Sequence, residues 1–79
     1  MIDIYICEDN PSHLSLFEEY ISKFILIDNL DMKVVLNTSD PYSLLNHVLQ
    51  SENQSVFFLD IDLQSDINGL QLAQKIRQL

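Results

Sequence analysis

The chain has 79 residues, of which 12 are acidic and 4 basic, for a net charge of -8; 47% are hydrophobic, with one cysteine and one glycine. One cysteine excludes an internal disulfide or a four-cysteine zinc site, and one glycine excludes a glycine-rich phosphate or dinucleotide loop. The acidic balance argues against direct contact of this chain with nucleic acid or an anionic membrane, because both reward clustered Lys and Arg. No apolar run approaches the roughly 20 residues of a bilayer crossing.

Met1-Ile2-Asp3 lacks a basic n-region, so no secretory signal is expected, and a free Cys7 fits a reducing cytoplasm. The length allows one domain burying roughly 60% of its unfolded surface, a size at which stability without help is in question.

Residues 2–7, Ile-Asp-Ile-Tyr-Ile-Cys, are β-branched and aromatic, apolar on both faces, and predict a strand buried between helices. Asn10 then Pro11 is an N-cap followed by a first-turn proline. Leu14, Phe17, Ile21 and Phe24 recur at helical spacing behind it and predict a helix over 11–26. Leu16, Tyr20 and Ile27 widen its apolar face beyond what one sheet covers, so a second neighbour is expected. After the polar break 28–31, Met32 to Leu36 predicts a short strand. Asp40-Pro41 repeats the cap-and-proline signal for a helix over 41–51 with Leu44, Leu45, Val48 and Leu49 inward. Val56 to Leu59 is the most hydrophobic strand candidate and ends at Asp60. A polar loop with Asp62, Asp66 and Gly69 precedes a last segment, to Leu79, that repeats helical spacing through Leu70, Ala73 and Ile76.

This β-α-β-α-β-α order predicts an α/β fold with a parallel sheet, whose ligand groups gather at the carboxyl ends of the strands. Both acidic clusters lie at such ends. If the first and third strands are neighbours, Glu8, Asp9 and Asp60 converge, and three close carboxylates invite either protonation or a divalent cation with oxygen ligands. Mg²⁺ fits best, since it takes two or three carboxylates and leaves positions for phosphoryl oxygens, and Asp60 is placed to act as a nucleophile towards phosphorus. The alternative for each acid alone is a helix cap or dipole partner.

Ile6-Cys7-Glu8-Asp9-Asn10 and Phe58-Leu59-Asp60-Ile61-Asp62-Leu63 resemble the two acidic strand ends of the receiver domain of bacterial response regulators. The resemblance implies a flavodoxin-like sheet of strand order 2-1-3 and Mg²⁺ held at Glu8, Asp9 and Asp60. It implies a backbone carbonyl from Asp62 to the metal, and Asp60 as phosphoacceptor from a sensor histidine kinase. Position 64 is Gln where most receivers have proline, and Gly69 falls nine residues after Asp60 rather than eight. With Asp40-Pro41-Tyr42, these features look like the accessory-gene-regulator type of regulator from Gram-positive peptide-pheromone systems. Such proteins join the receiver to a LytR/AlgR-type DNA-binding domain and control transcription.

The resemblance covers about two-thirds of a receiver over 1–79. It includes no DNA-binding domain, and neither the Ser or Thr after strand four nor the Lys after strand five can be assigned. A sheet ending at the third strand would expose the edge Val56 to Leu59 and one face of the first helix, so self-association is expected there. Other residues have plainer readings. His13 and His47 face solvent, Cys7 is a small buried hydrophobe, Tyr5, Phe57 and Phe58 form core, and Glu18 and Glu19 form a solvated face. The resemblance also offers His13, Leu16 and Glu19 as kinase contacts. Two alternatives stay open: a haloacid-dehalogenase-like phosphatase using Asp60 and Asp62, and an interaction module without chemistry. A receiver's output is a conformational switch, so an enzyme is not expected.

Overall fold

A computed structural model of the chain describes residues 1–60, 63 and 66–79. The elements are β1 (Ile2–Cys7), α1 (Pro11–Ile27), β2 (Met32–Thr38), α2 (Pro41–Leu49), β3 (Ser55–Leu59) and α3 (Gly69–Arg77). The strands form one parallel sheet, as the element order predicts, in the order β2-β1-β3 that the resemblance implies. Asp62, expected to offer a backbone carbonyl to the metal, lies outside the described residues.

The order explains where the helices lie. From β1 the chain moves to one neighbour, and from β2 it crosses back over β1 to the other. Right-handed crossovers running in opposite directions put their helices on opposite faces of the sheet. Side chains of β1 alternate to match. Ile4 lines a groove with α1, whereas Tyr5 and Cys7 join Leu44 of α2 and Leu72 of α3 in the buried core, with Leu63 and Ile67 from the β3–α3 loop. In β3, Val56 and Phe58 fall on the α1 side, and Phe57 and Leu59 on the core side. The β1–β2 register slips by one residue between Ile4 and Tyr5, where Val35 is extra on β2, a bulge that increases local twist.

Each helix starts where a side chain satisfies its free N–H groups. Asn10 Oδ1 accepts from Ser12 and His13 N, Asp40 Oδ1 accepts from Tyr42 N, and Asn68 forms a reciprocal capping box with Gln71. The Asn68 cap was not legible as such because no proline follows it. Asn29 after α1 takes a left-handed φ of 53°, which asparagine tolerates better than most residues. At the amino end of the sheet, Asp3 is buried and its carboxylate accepts from Ser51 Oγ at 2.9 Å and Asn53 Nδ2 at 3.2 Å. Together with the bond from Asp3 N to Gln54 O (2.9 Å), this ties the α2–β3 loop to β1 and sets the start of β3.

Several inward assignments change. In α1, the half-buried positions are Leu14, Glu18, Ile21 and Ile25; Phe17 and Phe24 turn to the open side, Phe24 with 61% of its surface exposed. Glu18 is not on a solvated face, since it accepts from Asn37 Nδ2 of β2. In α2, Leu49 is exposed (63%), because the core is reached through Leu44, Leu45 and Val48. In α3, Leu72 and Ile76 pack into the core while Leu70 and Ala73 are exposed. Phe58 is exposed on the α1 side instead of in the core, because α1 leaves that half of the sheet face uncovered.

The rotated α2 face yields a direct test. Leu44→Ala removes a fully buried side chain and should cost about 2–5 kcal/mol. Leu49→Ala should change stability by no more than about 0.5 kcal/mol. Urea denaturation followed by circular dichroism measures both; equal losses would restore Leu49 to the core.

Candidate functional site

The carboxyl ends of β1 and β3 are held side by side by the ladder itself. Cys7 lies opposite Leu59, so the next residues, Glu8 and Asp60, come level with each other. Asp60 N donates to Cys7 O at 2.9 Å, and Glu8 N donates to Thr38 O of β2 at 3.1 Å, which extends the sheet by one bond on either side of β1. The strand order reverses between β1 and β3, so the helices that follow them leave on opposite faces and open a crevice at this point.

Glu8, Asp9 and Asp60 meet there. One carboxylate oxygen from each can be chosen so that all three lie within 4.8 Å of one another, and all three residues are half-buried. The convergence expected from the sequence is therefore present. The turn after β1 supports it: Asn10 N donates to Glu8 Oε1 at 3.3 Å while the Asn10 side chain caps α1, so the residue that starts the helix also steadies the Glu8 carboxylate. Sequence reading took Asn10 only as a cap. His13, in the first turn of α1, brings Nδ1 to 3.8 Å from Glu8 Oε1, and its ring is mostly exposed.

The electrostatics are those of crowded anions. Burial, then the charge and hydrogen bonding of Asp60 and the charge of Asp9, raise the Glu8 carboxyl above its ordinary value, and the Asn10 N–H opposes this. The neighbouring Cys7 thiol is fully buried and pushed up to about 11, first by desolvation and then by Asp40, Asp60, Glu8 and Asp9. Cys7 is thus the inert apolar residue expected of it. Asp40 was read only as a helix cap; its closeness to Cys7 depends on β2 lying beside β1.

Three hard oxygen donors in a half-buried crevice match the ligand preference of Mg²⁺, and a divalent cation would relieve the repulsion that adds to burial in raising Glu8. Beside the carboxylates runs a mostly apolar hollow of about 330 Å³ lined by Ile6, Phe17, Phe58 and Leu59. On the other side of the sheet, Tyr42 of α2 donates from its hydroxyl to Asp66 Oδ2 at 2.6 Å, tying α2 to the β3–α3 loop, and this carboxylate holds the Tyr42 proton more tightly than usual. His47 faces solvent as expected, but its Nδ1 is 3.3 Å from the buried Tyr5 hydroxyl.

Two consequences are measurable. The Cys7 proton is held more tightly in the folded state, so its contribution to stability is complete below 9.0 and is lost as pH rises towards 11. Native Cys7 should resist a disulfide reagent at pH 8 and react within seconds once urea unfolds the chain. The Glu8 carboxyl is also raised, so its stabilising contribution is complete below 4.5 and fades as pH rises through the folded value. Glu8→Gln should therefore raise the melting temperature at pH 7 in metal-free buffer, with the gain shrinking below 4.5; an unchanged gain across this range would show that crowding of charge is not its cause.

No protein-family model and no solved structure matches the chain. Among curated proteins it is 36% identical over 75 residues to accessory gene regulator protein A of Staphylococcus aureus (strain N315), and 35% identical over 75 residues to the protein of the same name from Staphylococcus epidermidis. Each match covers 95% of this chain and 32% of the relative, so the chain spans about a third of the length of these proteins. With a parallel sheet in the order β2-β1-β3 and an acidic crevice at its strand tips, the chain is similar along 95% of its length to about a third of the length of the accessory gene regulator proteins.

Proposed function

We propose that the chain is the phosphoacceptor part of a response-regulator receiver over 1–79, with Asp60 taking a phosphoryl group from a sensor histidine kinase. The observation that carries this reading is the convergence of Glu8, Asp9 and Asp60 at the point where the strand order reverses. Glu8, Asp9 and Asp60 would hold Mg²⁺, with Asp62 contributing its main-chain carbonyl. When bound, the ion supplies charge neutralisation for the carboxylates and for the phosphoryl oxygens.

The chain's own residues account for the rest. Asp60 N, anchored on Cys7 O, fixes the main chain from which the nucleophilic carboxylate projects. An Asp60 carboxylate oxygen forms the new bond to phosphorus while the bond from phosphorus to the donor histidine nitrogen breaks, and no proton needs to leave the ionised carboxylate. Glu8 and Asp9 stay outside the covalent step; their charge makes the crevice selective for a cation and repels phosphate in its absence. Such a protein transfers one group to itself and is not an enzyme in its output.

The relatives are named as gene regulators. We extend that role to this chain's parent: phosphorylation would control transcription through a DNA-binding domain outside 1–79, in a cytoplasmic two-component pathway of the quorum-sensing type. This acidic stretch would not itself touch nucleic acid or membrane; no described helix is long and apolar enough to cross a bilayer. Self-association at α1 and the β3 edge is supported by exposed Phe17, Tyr20, Phe24 and Phe58. Asp60 at the end of a third strand weighs against a haloacid-dehalogenase-like phosphatase, and the intact acidic set weighs against a module without chemistry.

Beryllofluoride, a phosphoryl mimic, should bind this chain only with Mg²⁺ and not the Asp60→Asn variant. Mg²⁺ alone at 100 times its Kd should stabilise the wild type by about 2.7 kcal/mol and leave Asp9→Asn unchanged. Equal melting temperatures with and without Mg²⁺ would remove the metal site. Sedimentation velocity should show a concentration-dependent shift that Phe24→Glu reduces; a monomer at all micromolar concentrations would remove the self-association.

A further inference from the structure

Among the described residues, Asp3 is the one charged side chain that is buried, and it sits at the end of the sheet opposite the acidic crevice. Its carboxylate accepts from Ser51 Oγ at 2.9 Å and Asn53 Nδ2 at 3.2 Å, and Asn53 N donates in turn to Ser51 Oγ at 3.3 Å. Both partners lie in the loop that leads into β3. Asp3 pairs with Ser55, and the same ladder runs through Tyr5 and Phe57 to Cys7 and Leu59, which brings Asp60 level with Glu8.

That register has little else to define it. A one-residue slip moves every side chain of a strand to the other face, and alternation of polar and apolar residues normally opposes it. β3 reads Val56-Phe57-Phe58-Leu59 and is apolar on both faces. A slip that sets Asp60 opposite Cys7 draws a carboxylate towards the buried thiol and is opposed by the cost of burying charge. A slip in the other sense meets no such obstacle. It sets Val56, Phe57 and Phe58 opposite Tyr5, Ile6 and Cys7, exchanging apolar for apolar, and carries Asp60 about 3.3 Å further along and onto the other face. What it gives up is the stack of Phe57 on Tyr5, with ring centroids 5.2 Å apart, and the bonds from Asp3 to the loop.

We infer that Asp3 is a positioning residue for Asp60: by holding Ser51 and Asn53 it fixes the register of β3 on β1, and through that register the meeting of Asp60 with Glu8 and Asp9. The inference rests on the reading of those three acids as a cation site. Asp3 touches none of them, since the rise of the strand sets it roughly 16 Å away. A buried polar group of this kind adds little to stability but singles out one alignment among several apolar ones, as a buried Asn does in a coiled coil.

Asp3→Leu removes the acceptors while keeping the position filled, and water can reach the freed donors because Ser51 is half-buried and Asn53 exposed. Nuclear Overhauser contacts between the Hα and N–H groups of β1 and β3 read the register, and isothermal titration reads Mg²⁺ binding. In Asp3→Leu, contacts of the slipped register should appear and Mg²⁺ affinity should fall about tenfold or more. The exchange of Asp3→Asn with Asn53→Asp returns a carboxylate and amide pair and should restore the contacts, and the affinity to within about threefold. Leu44→Ala lowers stability without touching the ladder and should change Mg²⁺ affinity by less than about twofold. Asn53→Ala removes one bond at an exposed position and should move both readouts in the same direction as Asp3→Leu, so the test survives if Asp3→Leu does not fold. Wild-type contacts or wild-type affinity in Asp3→Leu, or a loss that the exchange does not recover, overturns the inference while the cation site stands. Failure of the wild type to bind Mg²⁺ overturns the acidic-site reading and the positioning role with it.

Discussion

β1 is the constraint on which the rest depends. Among the described residues it is the only strand with a hydrogen-bonded neighbour on each side, and Ile4, Tyr5, Ile6 and Cys7 are all buried. A parallel strand in that position has no solvated face, so both faces must be covered, and the crossovers on either side of it supply the helices. The ladder that satisfies its backbone continues one bond further at each edge, through Glu8 N to Thr38 O and Asp60 N to Cys7 O. The same hydrogen bonds that bury the strand therefore deliver two carboxylates to one place.

The site works against the fold that makes it. Three carboxylates within 4.8 Å repel one another, which adds to burial in raising both the Glu8 carboxyl and the Cys7 thiol behind them. Such repulsion is tolerated because it sits at the strand tips, where local caps and backbone bonds hold the geometry: Asn10 steadies Glu8 and starts α1 at once. Coupling a destabilised anion cluster to a cation is a common route to ligand-dependent stability. A bound cation would make the occupied state more stable than the empty one.

The two faces of the sheet are unequal. The α2/α3 side holds the core cluster, sealed by Leu63 and Ile67 and tied across by Tyr42 and Asp66. The α1 side carries an open apolar groove of about 450 Å³ with Phe17, Tyr20, Phe24, Val56 and Phe58 along it. α1 is anchored through Leu14, Glu18, Ile21 and Ile25, a stripe that includes one polar pair with Asn37, and contains no fully buried residue. A helix with this much uncovered apolar surface lends little stability to the sheet it rests on.

Much of this architecture was legible in the amino-acid order, because the signals are local. Asn10-Pro11 and Asp40-Pro41 announce two helices through their caps, the β-branched and apolar runs announce the strands, and an acid directly after a strand marks its carboxyl end. The acidic constellation followed once β1 and β3 were taken as neighbours. What a periodic pattern leaves undetermined is rotation about each axis, since Leu14-Phe17-Ile21-Phe24 and Leu14-Glu18-Ile21-Ile25 are both helical stripes. Packing chose the second, and likewise chose Leu72 over Leu70 and left Leu49 and Phe58 outside. The contacts that depend on two distant segments, Asp3 with Ser51 and Asn53, Tyr42 with Asp66, and His13 turned back onto Glu8, were decided by tertiary structure alone. A residue's periodicity fixes its neighbours along one element, whereas these partners meet only after the strands have paired and the helices have settled on their faces.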